Sequence, residues 1–447
     1  MDRISFLPDD FLLQILSLLT TKDVLKTSLL SKRWRNLWKL VHKLEYIDYT
    51  KNAADHARFL LFVDRSLLLN TAPILESLSF KFDRQCNDVD IGFWVRIAVE
   101  RGLRHFDYYP YVLQQPSKLP QSLFTCGTLM VLKLTNVSLA DVKFPVSFPL
   151  LKPPSKLPQS LFTCGTLMVL KLTNVSLADV KFPVSFPLLK VLHLRWVIYF
   201  DDETPQKLLS SCLILQELVV DRQRNDNVTT FPITLPLLQK LIYVGESNDE
   251  MFELNAPSLK CLEIKDVGYD CMIEKMPEIV SANVEVIYSD TDDMLDSLTS
   301  LKRLSICLPS ESPFPTGKIF HQLVDLEFCT CDSEWDLLLS FLTHSPKLRA
   351  LKLSERHGCF FGERALHWDE SSSVPETLLS GLETLEWRNY RGWNVEKELA
   401  TFILKHSCRL KKAIFSPEVT NLEKKHGMLI ELALLSRGST TCQLVFG

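Results

Sequence analysis

Twelve cysteines and ten histidines are the side chains best able to hold a metal or attack a carbonyl, and their spacing decides whether they do. Cys329 with Cys331, and His357 with Cys359, come nearest to ligand pairs, yet neither builds the paired C-x-x-C units of a closed zinc site. No cysteine stands in an electropositive motif that would keep a thiolate ready. The sequence holds no G-x-x-x-x-G-K-S/T loop, no G-x-G-x-x-G after a strand, no G-x-S-x-G and no H-E-x-x-H. Asp292-Asp293 reads as a solvated turn, not as an acid/base pair. The expectation is no catalytic residue, no metal and no cofactor. The cysteines fall mostly in apolar strand-like runs such as Ser305-Ile306-Cys307-Leu308, which suits reduced, buried thiols inside a cell, not a disulfide framework.

What remains is the chemistry of surfaces, densest in the first forty residues. Phe11, Ile15 and Leu19 stand four apart with Leu12 and Leu16 beside them, so one helix carries an apolar stripe too wide for a short unit to cover alone. Pro8 suits the first helical position, where its missing N–H is harmless, and Asp9 and Asp10 set negative charge against the helix's positive end. Thr21 is placed to cap a second helix with Asp23 in its first turn. Ser31 precedes a third, in which Trp34 and Trp38 share a face. Three short helices with an unpartnered apolar face follow from these residues.

Residues 3 to 44 resemble an F-box, through Leu7-Pro8, Ile15-Leu16, Lys22-Asp23-Val24 and the block Leu30-Ser31-Lys32-Arg33-Trp34-Arg35. The resemblance implies a subunit of an SCF-type cullin-RING ubiquitin ligase. It implies that a Skp-family adaptor is held at Leu7, Pro8, Phe11, Ile15, Leu16, Leu19, Val24 and Trp34, with the cullin and RING subunits reached through it. F-box relatives usually have proline where this chain has Thr20, so a less rigid turn between the first two helices is expected.

With 447 residues the chain suits two to four domains or one extended array with modules at its ends. Charged residues make up 23% and the formal net charge is −4, so no global basic field argues for nucleic acid or an anionic membrane as partner. The apolar run from Phe11 to Leu19 is short and broken by Gln14, and no signal peptide or membrane span is read. The expected location is the nucleus, the cytoplasm or both.

From residue 75 a phrase Leu-x-x-Leu-x-Leu recurs. It runs through Leu75-x-x-Leu78-x-Phe80, Leu103-x-x-Phe106-x-Tyr108, Leu129-x-x-Leu132-x-Leu134, Leu167-x-x-Leu170-x-Leu172 and Leu189-x-x-Leu192-x-Leu194. It continues at Leu215, Leu238, Leu259, Leu301, Leu323 and Leu348, mostly at intervals of about 21 to 28 residues, the range of leucine-rich repeats. In such a coil the closing Leu-x-Leu is a short strand with its apolar side chains turned inward and the x residue facing out along a binding face. Residues 204–212 and 333–343 read as helices, whereas a linker such as 252–258 is too short for one. Val137, Val175 and Val267 occupy the place of a ladder asparagine, so an irregular solenoid without a regular ladder is expected, as the loose repeats of plant F-box proteins also imply.

Pro116–Lys152 recurs without a change as Pro154–Lys190. Neutral drift scatters differences, so perfect identity points to a very recent tandem duplication or to an error in assembling the sequence. The interval from Leu129 to Leu167 is longer than its neighbours, and Pro153-Pro154 forbids a helix or ladder strand at the seam. A longer outer loop is expected there.

The polar stretch 361–373, with Gly362 and Ser371-Ser372-Ser373, reads as a linker. Beyond it, Leu382-Glu383-Thr384-Leu385-Glu386-Trp387, Tyr390-Arg391-Gly392 and Cys442-Gln443-Leu444-Val445-Phe446 resemble the FBD domain of plant F-box proteins. Strands are expected at 382–387, 411–416 and 441–446 and helices at 395–406 and 420–435, a further coil sealing the array. The chain thus resembles the plant F-box/FBD/leucine-rich-repeat family. The expected α/β architecture is an F-box at 1–47, an irregular leucine-rich-repeat solenoid of inner parallel strands with outer helices and loops at 48–360, and an FBD module at 374–447. The implied function is substrate recognition for an SCF ligase, without catalysis, the target protein being unidentified. A protein-binding scaffold outside any ligase and a small-molecule-sensing receptor are the alternatives.

Overall fold

The computed structural model describes residues 4–50, 52–84, 86–111, 117–138, 159–177, 184–223, 226–245, 251–265, 270–286, 292–308, 317–330, 335–356, 374–418 and 422–447. The linker 361–373, Cys331, His357, Cys359, Val267 and the seam at Pro153-Pro154 lie outside them. The chain forms two compact units, Met1–Val228 and Thr229–Gly447.

In the first unit the repeated phrase delivers one strand per coil. Lys43–Asp48, Ser77–Phe82, His105–Pro110, Val131–Thr135, Val169–Thr173, Val191–Arg195 and Glu217–Asp221 pair in that order, all parallel. Side chains alternate along each, as in Val131–Thr135, where Leu132 and Leu134 are buried and the residues between face out. The sheet thus starts at Lys43, a few residues before the coil region read from the sequence. Its far side is covered by two helices that the sequence reading did not mark, Ala53–Leu69 and Asp88–Glu100. Asn52 and Asn87 cap them by accepting from the N–H of Asp55 (2.8 Å) and Val89 (3.0 Å). Helix Glu203–Ser210 lies where one was expected.

The two copies of the duplicated phrase lay their strands side by side, Lys133 facing Lys171. The same residues wind as an α-turn at Gln121–Phe124 and as a 3₁₀ turn at Gln159–Thr163. Val137 and Val175 are buried in place of ladder asparagines, yet an asparagine rung exists one residue earlier. Asn136 and Asn174 take φ of 56° and 52°, and the Asn174 amide donates to Asn136 Oδ1 at 2.7 Å. In the next coil the same backbone place is held by Trp196 at φ 52°, its N–H donating to the Asp221 carbonyl as the Asn174 N–H does to Arg195. A left-handed conformation costs a bulky residue about 1–2 kcal/mol.

In the second unit Lys240–Val244, Cys261–Lys265, Ser281–Glu285, Arg303–Cys307, Asp325–Cys329, Ala350–Ser354, Thr384–Tyr390, Lys412–Pro417 and Gln443–Phe446 form the parallel sheet. Strand Ser281–Glu285 belongs to a coil absent from the sequence reading, because Ile279 and Ala282 replace its leucines. Residues 252–258 form no helix, as expected, and their first residues lie in a strand. Thr230–Thr234, Met251–Asn255 and Asp270–Ile273 make a second, three-stranded parallel sheet. Asp292-Asp293 open helix Asp292–Ser297 and do not form a turn. Helices Trp335–Thr343, Asn394–His406 and Leu422–Leu434 match their expected places.

The last three strands continue this sheet, and their aromatic residues close its end. Trp387 lies 6.1 Å from Phe415 and 5.2 Å from Tyr390, all three buried. Gly392, at φ 72°, turns the chain so that Glu396 accepts from the N–H groups of Arg391 (2.9 Å) and Trp393 (3.2 Å). The Arg391 guanidinium pairs with Glu355 at 2.6 Å and Glu418 at 2.9 Å. Burial raises the Glu396 carboxyl above its ordinary range in spite of those donors. Among the described residues no helix is long and apolar enough to cross a membrane.

Candidate functional site

The three expected helices are present at the amino end: α1 Asp9–Leu16, α2 Thr21–Thr27 and α3 Trp34–Leu37, the last prolonged by a 3₁₀ turn at Trp38–Leu40. Two caps sit one residue away from the expected places. Pro8 is the N-cap of α1 in extended backbone (φ −54°, ψ 151°), not its first helical residue. The cap of α2 is Thr20, whose Oγ1 accepts from the Asp23 N–H at 3.3 Å and donates to its carboxylate at 2.8 Å. Thr20 adopts φ −64°, the value a proline would impose, so the turn keeps a proline-like path under a threonine's hydrogen bonds. Lys26 and then Thr20 hold the Asp23 carboxyl below its usual range.

Thr21 is freed for another task. It is buried, and its hydroxyl accepts from the Glu45 N–H at 2.8 Å, tying α2 to the first strand. Asn70 reaches the Val41 carbonyl at 3.0 Å, and Thr71 and Ala72 donate to Lys39 at 2.7 and 3.0 Å. The helical unit is therefore fixed to the first coil.

The eight residues read as docking anchors divide into two sets. Leu16 (0% exposed), Val24 and Trp34 are packed with Leu12, Leu37, Trp38 and Val41 in the unit's own core, and Leu19 lies half-buried against it. Leu16, Val24 and Trp34 build the unit's core, while Leu19 keeps part of its surface. Leu7 (36% exposed), Pro8, Phe11 (56%) and Ile15 (42%) face solvent. The division follows from helix geometry, since Leu12–Leu16 and Phe11–Ile15 are both i, i+4 pairs, about 100° apart around α1. One pair fills the core, and the other is left over.

The exposed set is larger than the sequence reading allowed. Leu18 (80%), Leu29, Leu30 and Phe6 are also exposed, and Leu18 stands three residues after Ile15, its N–H donating to the Ile15 carbonyl. Arg33 joins the two chain segments concerned, its Nε donating to Asp9 Oδ1 at 3.0 Å and its Nη2 to the Leu7 carbonyl at 2.6 Å. A charged residue between leucines and a tryptophan gave no sequence signal for this role, because its partners lie over twenty residues away. Single exposed apolar residues are ordinary, but a run on one short unit is a candidate docking surface.

Two buried thiols are held in the neutral form. Burial pushes Cys86 up to about 12 and Cys212 up to about 11. Among the described residues no three His, Cys, Asp or Glu side chains gather as metal ligands.

Three family models match along the chain: the F-box domain at residues 4–46, the LRR repeats of the FBD-associated F-box protein At5g56370 at 149–283, and FBD at 369–415. Fold and exposed helical unit together define an F-box protein carrying leucine-rich-repeat coils and an FBD module. The chain belongs to the family of FBD-associated F-box/LRR-repeat proteins. It is 55% identical to the FBD-associated F-box protein At5g56370 of Arabidopsis thaliana, with each chain wholly covered. It is 45% identical to the F-box/FBD/LRR-repeat protein At5g56420 of the same plant, over all of this chain and 99% of that one.

Proposed function

We propose that the protein is the substrate-recognition subunit of an SCF-type ubiquitin ligase. The outer face of the helical unit, with Leu7, Pro8, Phe11 and Ile15 at its centre, holds a Skp-family adaptor and through it the cullin and RING subunits. Leu16, Leu19, Val24 and Trp34 serve by fixing the helices that present that face. The coils hold the target protein. The contribution is proximity, raising the effective concentration of a target lysine beside a charged conjugating enzyme, with no bond made by this chain. Such a subunit works in the nucleus or the cytoplasm. One observation carries the reading: the unit's core is already complete, and an apolar set remains outside it.

Pull-down with a purified Skp-family adaptor tests it. Burying an apolar side chain contributes roughly 1.5–3 kcal/mol before association costs, so Ile15→Asp, or Leu7→Ala with Pro8→Ala, abolishes capture while the melting temperature stays unchanged. Undiminished capture by these variants contradicts the proposal. Adaptor capture without co-purifying cullin sends the chain to a scaffold role outside the ligase.

A further inference from the structure

Three neighbouring strands of the first unit, Val131–Thr135, Val169–Thr173 and Val191–Arg195, carry Lys133, Lys171, His193 and Arg195 on their outward positions and no acidic residue. Register sets Lys133 against Lys171, Lys171 against His193, and Thr173 against Arg195. With strands ~4.8 Å apart, these basic positions lie within about 10 Å across the sheet. Like charges directly opposite on a ladder are unfavourable. The acids that relieve them stand on the flanking strands, Asp107 at 3.8 Å from Lys133 and Glu217 at 3.1 Å from His193. Burial, and next Lys171, hold the His193 imidazole below its ordinary value, so near neutral pH the strip's charge is that of Lys133, Lys171 and Arg195.

A second observation lies at the end of the third strand. Trp196 is exposed and left-handed where the two preceding coils have Asn136 and Asn174, residue types suited to that backbone. A conformation that the fold keeps against local preference, under an exposed indole beside Arg195, is the kind of strain found at binding sites. In the second unit the corresponding face is already crossed by its own Arg356, which reaches Asn283 at 2.9 Å and Glu327 at 2.8 Å.

We propose that Lys133, Lys171, Arg195 and Trp196 form a recognition patch for an extended acidic segment of the target protein, carboxylates pairing with the cations and an apolar residue lying on the indole. The inference rests on the target-holding role given to the coils above. About 10 Å of strip matches three to four residues of extended chain at ~3.3 Å each. That width, between Asp107 on one side and Glu217 and Asp221 on the other, suits a short acidic peptide over a nucleic-acid backbone. Lys133 and Lys171 are the same residue of the repeated phrase, so the second copy of the phrase adds one cation to the patch.

Fluorescence anisotropy on the full chain tests this with a fluorescein-labelled nonapeptide of four Glu-Ser repeats ending in Leu. Lys133→Glu with Lys171→Glu weakens binding at least tenfold, whereas Lys352→Glu on the second unit leaves it unchanged. Deletion of residues 116–153, one copy of the phrase with its following proline, weakens it several-fold. Trp196→Asn also weakens binding yet raises the melting temperature, a pair of effects that a purely structural tryptophan would not give. No saturable binding up to millimolar peptide, indifference to the charge reversal, or tighter capture of an octameric oligothymidylate overturns the proposal. Ile15→Asp keeps peptide binding and the strip variants keep adaptor capture, so failure of this patch and failure of the adaptor reading are told apart.

Discussion

At the amino end, helices of eight, seven and four residues close a core around Leu12, Leu16 and Trp34 and still leave Phe11, Ile15, Leu18 and Leu29 outside. Between Val374 and Glu418 the same economy of chain is spent inward. Trp387, Tyr390 and Phe415 are sealed, Glu396 caps the turn before its helix, and Arg391 is paired with two glutamates. The exposed Leu422, Ile430 and Leu434 of the final helix are spread around it more widely than Phe11 and Ile15 are around α1. Both modules leave apolar side chains exposed among the described residues, but at the amino end Phe11 and Ile15 stand together on one face of a single short helix. That grouping is what the proposed docking role of the first module rests on.

The comparison breaks most decisively under charge at the outer face. Phe11→Asp combined with Ile15→Asp removes the two apolar contacts proposed for the adaptor and lowers adaptor affinity more than a hundredfold, with thermal unfolding within a few degrees of the parent. At the closing end the effect falls on stability instead. Trp387→Ala empties a packed aromatic site and lowers unfolding free energy by about 3–5 kcal/mol in denaturant titration, with adaptor capture intact at temperatures where the chain stays folded. Arg391→Met strips two glutamates of their shared cation and costs about 2 kcal/mol. The smallest change at the amino end is Thr20→Ala, which loses a helix cap and about 1 kcal/mol.

Glu396→Gln sharpens the comparison through pH. A carboxyl whose folded pKa is raised binds its proton more tightly in the native state, so its contribution to stability falls as pH rises from the unfolded value through the folded one. Above the folded pKa the wild-type module carries the full penalty, and the glutamine variant, which retains an acceptor for the Arg391 and Trp393 N–H groups, is the more stable. In acid the two converge. A gain that persists in acid, read from unfolding curves at several pH values, contradicts the buried-carboxylate account.

Much of this architecture was legible because the coil repeats a pattern that two short-range rules decode, alternation on the strand and a leucine at the entry turn. Leu129, Leu132 and Leu134 announce their coil, whereas Ile279, Ala282 and Val284 hide theirs, since alanine fits the core without marking it. The three-stranded sheet around Met251–Asn255 escaped because a five-residue strand and an irregular linker look alike without knowledge of their neighbours. On α1 the sequence reading marked exposed and buried residues together. Leu16 and Ile15 are adjacent apolar residues on one short helix, and only the position of Trp34 and Trp38 decides which of the two turns inward. Trp196 was invisible as a special residue, because φ is not written in a side chain.

The account stands or falls with the outer face of α1. Hydroxyl-radical footprinting of the full chain, alone and with a purified Skp-family adaptor, reads that face side chain by side chain. Phe11 and Ile15 become protected on complex formation while buried Trp34 stays unreactive in both states. Equal labelling of Phe11 and Ile15 with and without saturating adaptor contradicts it.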